Sequence, residues 1–109
     1  MKKTMILAVI ASLSGAMTAA AAGAADNWTD LCAKCHGADG KGQTKMGQRL
    51  GAKDYTDPKV QADMKDDAMF KAIKEGLKSD DGKTLMKSYD TLSDDDIKAL
   101  VTYVRAFKK

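Results

Sequence analysis

Hydrophobic residues recur with a helical period in three separated stretches of this 109-residue chain. The first stretch covers residues 26–36, the second opens at Asp66 or Asp67 and is broken by Gly76, and the third follows Ser93. Spacings of three and four residues place the apolar side chains of each stretch on one face of a helix. These faces comprise Trp28, Leu31, Cys32 and Cys35; Met69, Phe70, Ile73 and Leu77; and Ile97, Leu100, Val101, Val104 and Phe107.

The third stretch has the clearest helix signals. Ser93 stands at the N-cap and Asp96 follows three residues later, which is the spacing of a capping box. Acidic residues 94–96 lie at the positive end of the helix dipole and Arg105 lies near its negative end. The pattern therefore predicts a helix at the C-terminal end of the chain.

The segments between these helices show weaker patterns. Residues 37–55 contain five glycines among polar residues and are predicted to form a loop. A short helical turn is predicted over residues 59–64, after the turn signal Asp57-Pro58. Residues 79–88 are again predicted to form a loop. The fold class is therefore all-α, with about three to five short helices.

The motif Cys32-Ala33-Lys34-Cys35-His36 ends the first predicted helix and contains the candidate chemistry. Positions i, i+3 and i+4 share a helix face, so Cys32, Cys35 and His36 point the same way. This is the attachment sequence of a c-type haem, in which the thiols form thioethers to the porphyrin and the imidazole binds iron. The chain has no other cysteine or histidine. We therefore expect one covalently bound haem c per chain.

Two other chemistries use closely spaced cysteines. A thiol–disulfide oxidoreductase would use Cys32 and Cys35 as a redox dithiol, but such a site follows a strand in a βαβ unit, and no strand pattern precedes the motif. A zinc site needs a fourth ligand of the usual kind, which the composition does not offer. The redox dithiol remains an alternative function.

The chain opens with the three-part pattern of a secretory signal peptide. Two lysines precede an apolar run, and small residues follow. Cleavage after Ala24 or Ala25 satisfies the small-x-small rule, which predicts a signal peptide over 1–25 and one domain over 26–109. The apolar run is far shorter than the ~20 residues of a membrane span, so an uncleaved anchor is the less favoured alternative. We expect export to the periplasm, where haem attachment of this kind takes place.

Loss of the leader changes the charge balance. Two of the 18 basic residues leave with it, so that 16 basic residues face 15 acidic ones and the net charge falls from +3 to +1. This balance lacks the basic excess of a nucleic-acid-binding protein. The remaining chain of about 85 residues supports only a small core. We expect it to be largely unfolded without the haem.

The whole mature chain resembles the class I cytochromes c. The attachment motif near the N terminus and a C-terminal helix with Tyr103 both match that family. Trp28, four residues before Cys32, matches an aromatic position where the family's first and last helices cross. Leu100 matches the other side of that crossing, and Ala24 stands where the family often has glycine. The resemblance implies a cytochrome c fold in which the helices wrap around one haem.

The resemblance also implies the remaining haem contacts. The family's axial methionine stands fourteen residues before a core leucine of the last helix, as Met86 stands before Leu100, with Met64 as the second candidate. The family's histidine donates its second N–H to a proline carbonyl in a Gly-Pro-x-Leu run, where this chain has Gln48. Tyr55 resembles an aromatic position near a haem propionate, and a surface tyrosine is the equally open alternative.

These ligands imply a function. With His36 and Met86 on the iron no position is open to a substrate, so we expect a fairly high-potential one-electron carrier rather than an enzyme. It would be a soluble monomer that shuttles electrons between respiratory or dehydrogenase complexes, without nucleic-acid binding or stable membrane insertion. A haem peroxidase or gas sensor, with an open sixth position, is a further alternative. The lysines expected to border the haem edge and attract an acidic redox partner are Lys34, Lys41, Lys45, Lys83 and Lys87.

Overall fold

The structure is a computed structural model that describes residues 23–109. Most of the expected signal peptide lies in residues 1–22, outside the described residues. Residues 23–109 form five helices and one two-stranded antiparallel sheet. None of the helices in this part of the chain is long and apolar enough to cross a membrane. The mostly helical architecture of short elements confirms the predicted fold class.

Helix α1 runs through residues 23–36 and ends with the attachment motif. Its middle, Trp28–Cys32, is wound as a π-helix in which the N–H of Ala33 donates to the carbonyl of Trp28. Ala33–His36 return to the α conformation, and Gly37 ends the helix with a φ of 83°. A π turn changes the direction in which side chains leave a helix, and such turns are common at functional sites.

Ala24 lies in the hydrophobic core with a relative exposure of 2%. It belongs to the same buried cluster as Trp28 and Leu100, at the position where the resemblance places a helix crossing. A mature chain that starts at residue 25 or 26 would lose this core residue. The predicted cleavage point after Ala24 or Ala25 stays a prediction.

Helix α2, Lys45–Leu50, lies in the glycine-rich segment that the sequence analysis predicted to be entirely loop. That prediction is wrong for these six residues. The side chain of Thr44 accepts a hydrogen bond from the N–H of Gly47 and caps the helix, while Gly51 ends it in the left-handed conformation. A threonine N-cap and a glycine after the last turn are recognisable helix signals. The many glycines around this helix led the whole segment to be interpreted as a loop.

Helices α3, Pro58–Asp63, and α4, Asp66–Glu75, follow the predicted pattern. The Asp57 side chain caps α3 by accepting a hydrogen bond from the N–H of Lys59. Gly76, with a φ of 81°, ends α4 where the sequence predicts a break. The start of α3 and the end of α4 thus lie at local signals in the sequence.

A two-stranded antiparallel sheet follows α4. Strand β1 comprises Leu77–Lys78 and strand β2 comprises Thr84–Met86, with Leu77 opposite Met86. The sequence analysis placed Leu77 on the apolar face of α4, and this is wrong because Gly76 ends the helix one residue earlier. Leu77 is consequently 48% exposed. The sheet also replaces part of a predicted loop.

Helix α5, Asp94–Arg105, closes the fold and confirms the predicted capping box. The hydroxyl of Ser93 accepts from the N–H of Asp96, and the Asp96 carboxylate accepts from the N–H of Ser93. Its apolar stripe forms half of the core of the described residues: Ile97, Leu100, Val101 and Val104 are buried. Ile73 of α4 and the buried residues of α1 complete this core.

Gln61 is the one buried polar side chain of the described core, with an exposure of 4%. Its amide nitrogen donates to the carbonyl of Tyr55 at 2.7 Å and to that of Val104 at 2.9 Å. Both acceptors are main-chain groups of other elements, so Gln61 ties α3 to α5 and to the segment before α3. Burial of an amide is tolerated here because its hydrogen bonds are made.

Candidate functional site

The end of α1 brings the three residues of the attachment motif together. Cys32 is buried, Cys35 and His36 are half-buried, and both thiols are free. Burial, with a smaller effect from the nearby Cys35, raises the pKa of the Cys32 thiol to about 11. The attacking cysteine of a thiol–disulfide enzyme has a lowered pKa instead. The geometry therefore disfavours the redox dithiol.

His36 lies among aromatic rings. Its ring centroid is 5.2 Å from that of Tyr55, with the planes nearly parallel at 25°, and 5.5 Å from that of Trp28. Burial lowers the pKa of His36 and so favours the neutral imidazole, the form that binds metals. Its Nδ1 is buried and has no hydrogen-bond partner among the described residues.

The hydrogen bond expected between His36 and the Gln48 carbonyl is absent from the structure. Gln48 belongs to α2, where its N–H donates to the carbonyl of Thr44 and its exposed side chain donates to the carbonyl of Gln43. Neither bond uses the Gln48 carbonyl, which is the group that the resemblance assigns to His36, so that contact stays a prediction.

A close contact fixes α2 against the end of α1. The hydroxyl of Thr44 donates to the carbonyl of Cys35 at 2.6 Å and accepts from the N–H of Gly47 at 2.9 Å. A Cβ atom at Gly47 would lie 2.2 Å from the Cys35 carbonyl oxygen. The indole N–H of Trp28 donates to the carbonyl of Gly37 at 3.0 Å, which holds the turn after the motif. These contacts orient the end of the helix that presents both thiols.

Trp28 is buried and serves as a packing residue, as predicted. Its ring centroid lies 5.0 Å from that of Phe107 and 5.7 Å from that of Tyr103. Tyr55 is half-buried against His36 and Trp28, and its expected place near a haem propionate stays a prediction. Burial raises the pKa of Tyr55, so its hydroxyl stays protonated at neutral pH.

Met86 ends strand β2 and is half-buried against the core. A Cβ atom at Gly76 would lie 2.7 Å from the Met86 carbonyl oxygen and 2.9 Å from the Ser88 nitrogen. Gly76 therefore lets the segment after β2 pass directly over the end of α4. Pairing with Leu77 fixes the Met86 backbone on the other side. This segment, residues 86–89, is called the methionine loop below.

The other methionines of the described chain have different surroundings. The sulfur of Met46 lies 3.2 Å from a guanidinium nitrogen of Arg49 on α2. Met64 follows α3, and its carbonyl accepts a hydrogen bond from Arg105. Met69 packs against the core from α4, as predicted. Met86 is the one that lies on a loop shaped by a glycine contact and strand pairing.

The sequence model of the cytochrome c family matches residues 20–108. The chain belongs to the cytochrome c family. It is similar to the solved KustC0563 c-type cytochrome, with 33% identity, a TM-score of 0.68, and coverage of 79% of this chain and 98% of that chain. A mutant of KustC0563 with phenylalanine in place of a tyrosine gives 32% identity, a TM-score of 0.65, and coverage of 78% of this chain. No curated protein matches.

The donor set of this cytochrome c fits its cofactor. Covalent haem c requires two thiols for the thioether bonds and a neutral imidazole for the iron; Cys32 and Cys35 would hold the porphyrin, and His36 would offer the imidazole from the same helix end. Membership of this family implies haem-based electron transfer as the general activity.

Proposed function

We propose that this cytochrome c is an exported, periplasmic one-electron carrier with His36 and Met86 as axial iron ligands. It shuttles electrons between respiratory or dehydrogenase complexes and acts as a monomer without an enzymatic activity of its own. The observation that supports this proposal is the way in which neighbouring residues fix the backbone of the methionine loop. Gly76 and Leu77 hold Met86 in a fixed backbone position, which is what a permanent ligand needs.

Each ligand residue has a defined part in this function. Cys32 and Cys35 fix the cofactor to α1, and His36 offers a neutral nitrogen from the same helix end. When bound, the haem supplies a reversible one-electron couple. Met86 fills the remaining axial position with a thioether, which favours Fe(II), raises the potential and excludes a substrate. This ligand pair therefore favours a carrier over a peroxidase or a gas sensor.

The surface charge supports docking to acidic redox partners. Lys34, Lys45 and Arg49 line one open depression beside the attachment motif, together with the half-buried Met46. A separate depression at the start of α4 is lined by two acidic residues, Asp66 and Asp67, and by one basic residue, Lys98. The charges are thus unevenly distributed even though their sum is small. Uneven charge steers association more than net charge alone suggests.

Covalent attachment is tested on the protein purified from an attachment-competent host. We expect the haem to stay with the polypeptide in denaturing electrophoresis and to add its mass to the intact chain. The same mass identifies the first residue of the mature protein and shows whether Ala24 is retained. A Cys32→Ala/Cys35→Ala variant is the control and should hold no covalent haem. Haem that is extracted from the wild type by acidified organic solvent would contradict the assignment.

The axial ligand is tested with Met86→Ala and the matched variant Met64→Ala. Met86→Ala should lose the weak near-infrared charge-transfer band of a methionine-bound ferric haem, lower the potential and bind carbon monoxide. Met64→Ala should keep the band. The reverse result would transfer the ligand role to Met64. Immediate binding of carbon monoxide to the wild type would instead favour the peroxidase or sensor alternative.

A further inference from the structure

Tyr89 connects the methionine loop to two helices at once. Its N–H donates to the carbonyl of Ile73 on α4 at 2.8 Å. Its hydroxyl donates to the carbonyl of Leu31 on α1 at 2.7 Å, a bond between residues 58 positions apart. Leu31 immediately precedes Cys32, the first cysteine of the attachment motif. The Tyr89 side chain is therefore a direct link from the methionine loop to the helix that carries the thioethers.

This link completes the support of the methionine loop. At its start, Met86 pairs with Leu77 and lies against Gly76. At its end, Tyr89 provides the two hydrogen bonds to other elements, while Lys87 and Ser88 between them are exposed. The backbone of a short segment that is fixed at both ends moves away from its neighbours only when one end is released. The hydroxyl bond of Tyr89 is the side-chain contact available for such a release.

The surroundings of Tyr89 strengthen this contact. The ring packs against the core, and the ammonium of Lys87 lies 5.4 Å from its centroid, within cation–π range. Burial is the main cause that raises the pKa of the Tyr89 hydroxyl, so the group remains a donor at neutral pH. A partly buried hydrogen bond whose partners lie on two elements resists exchange with water more than an exposed one does.

We propose that Tyr89 is a positioning residue for the distal iron ligand: its hydroxyl bond to Leu31 holds the methionine loop on α1 and slows the departure of Met86 from the iron. The inference rests on the proposed function in one respect, that Met86 is the axial ligand. It goes beyond that function by assigning ligand retention to a residue that touches neither the iron nor the haem attachment cysteines.

The test is the replacement Tyr89→Phe, which keeps the ring and removes only the hydroxyl. Imidazole competes with an axial methionine for ferric iron, so its apparent affinity reports how easily the methionine loop opens. The rate of imidazole binding at saturating imidazole equals the rate at which the methionine loop opens. We expect both to rise roughly threefold to tenfold in Tyr89→Phe, the range of one partly buried hydrogen bond. Tyr103→Phe is the matched control and should leave both unchanged.

Three results would overturn the inference, and they are separable from a failure of the proposed function. Tyr89→Phe could have the same apparent affinity for imidazole as Tyr103→Phe. It could also have the same binding rate at saturating imidazole. It could also lower the unfolding free energy while leaving imidazole binding unchanged, which would make Tyr89 a stability residue only. If Met86→Ala keeps the near-infrared band and the wild-type imidazole affinity, the proposed ligand is itself wrong.

Discussion

Gly47 is required for its small size rather than for its backbone conformation. It lies inside α2, and a Cβ atom there would stand 2.2 Å from the carbonyl oxygen of Cys35. Gly51, at the end of the same helix, has the opposite requirement: its φ is 81°, and nothing lies within 4 Å of an added Cβ. Gly47 is thus required because a side chain would not fit, and Gly51 because its backbone is left-handed.

We predict that Gly47→Ala destabilises the holoprotein more than Gly51→Ala does. The first variant forces α2 away from the attachment motif at a cost of about 3 kcal/mol, the upper part of the range for overpacking. The second places alanine in the left-handed conformation at a cost of about 1 kcal/mol. Denaturant unfolding monitored at the haem absorbance measures both. Equal values would show that α2 can shift away from Cys35 freely.

The ion pair between Lys74 and Asp94 gives a prediction for acid pH. The ammonium of Lys74 donates to the Asp94 carboxylate at 2.9 Å, and this bond lowers the pKa of Asp94 below 3.8. A carboxyl with a lowered folded-state pKa contributes stability above its unfolded pKa and loses it as the pH falls through the folded value. Asp94→Asn should therefore lower stability slightly at neutral pH and make no difference in strong acid.

Asp95→Asn is the control for this effect. Asp95 lies in the same first turn of α5 but forms no ion pair within residues 23–109. Because both partners of the Lys74–Asp94 pair are exposed, added salt should weaken the effect. Unfolding curves of the three proteins from pH 7 down into strong acid, at two salt concentrations, provide the measurement. A pH-independent deficit in Asp94→Asn would show that its cause is not the charge of the Asp94 carboxylate.

At the scale of elements, Arg105 joins three helices. Its guanidinium donates to the main-chain carbonyl of Gln61 at 2.7 Å and to that of Met64 at 2.6 Å, and it also contacts the carboxylate of Asp66 at 2.9 Å. The planar fork of an arginine can make these bonds together, whereas a lysine ammonium is a single point charge. Arg105 thereby fixes α5 to the end of α3 and the start of α4.

We predict that Arg105→Lys lowers the unfolding free energy by about 2 kcal/mol, since carbonyl groups of the α3–α4 junction lose their donors. Arg49→Lys is the matched control because Arg49 is exposed on α2 and bonds only to the sulfur of Met46 among the described residues. Its effect should stay below about 0.5 kcal/mol. Similar losses in the two variants would mean that the network contributes little.

The elements differ in how far local sequence specifies them. Helix α5 has a capping box, an apolar stripe and a favourable charge order, and the structure confirms each. Helix α2 has a threonine cap and a terminal glycine, but its six residues are too few to show an apolar period. The strand pair has no local pattern of its own, because two and three residues cannot show an alternation. Helix α3 is also six residues long but was predicted after the turn signal Asp57-Pro58, so the glycines around α2, and not its length alone, account for the difference.

For the whole molecule, we predict that electron transfer to an acidic redox partner slows as salt is added. Lys34 and Lys45 lie on the side of the attachment motif, whereas Asp66 and Asp94 are already paired with Arg105 and Lys74. Screening over about 10 Å at 0.1 M salt weakens such steering.

The measurement is the second-order rate constant between low and physiological ionic strength, compared for the wild type and two charge variants. The double variant Lys34→Gln/Lys45→Gln should show a lower rate and a weaker salt dependence than the wild type. Lys108→Gln, at the exposed C-terminal end, should behave like the wild type. A wild-type rate that does not fall with salt would show that the lysines do not guide docking.

The sequence by itself determined the attachment chemistry, the general fold and the ends of the main helices. Two cysteines and a histidine at i, i+3 and i+4 specify their common face without any tertiary information. Caps and terminal glycines act within a few residues, so Ser93 and Gly76 could be assigned from the chain alone. The family resemblance added Met86, which stays a prediction for the ligand test.

Only the tertiary structure decided which distant groups meet. The bond from Tyr89 to Leu31 and the bond from Gln61 to Val104 join residues 58 and 43 positions apart. The Nδ1 of His36 has no partner among the described residues, and its expected bond to the Gln48 carbonyl stays a prediction. No local pattern encodes such pairs, because a main-chain carbonyl can accept from any donor that folding brings near it. Packing of α1, α4 and α5 around one small core selects those donors.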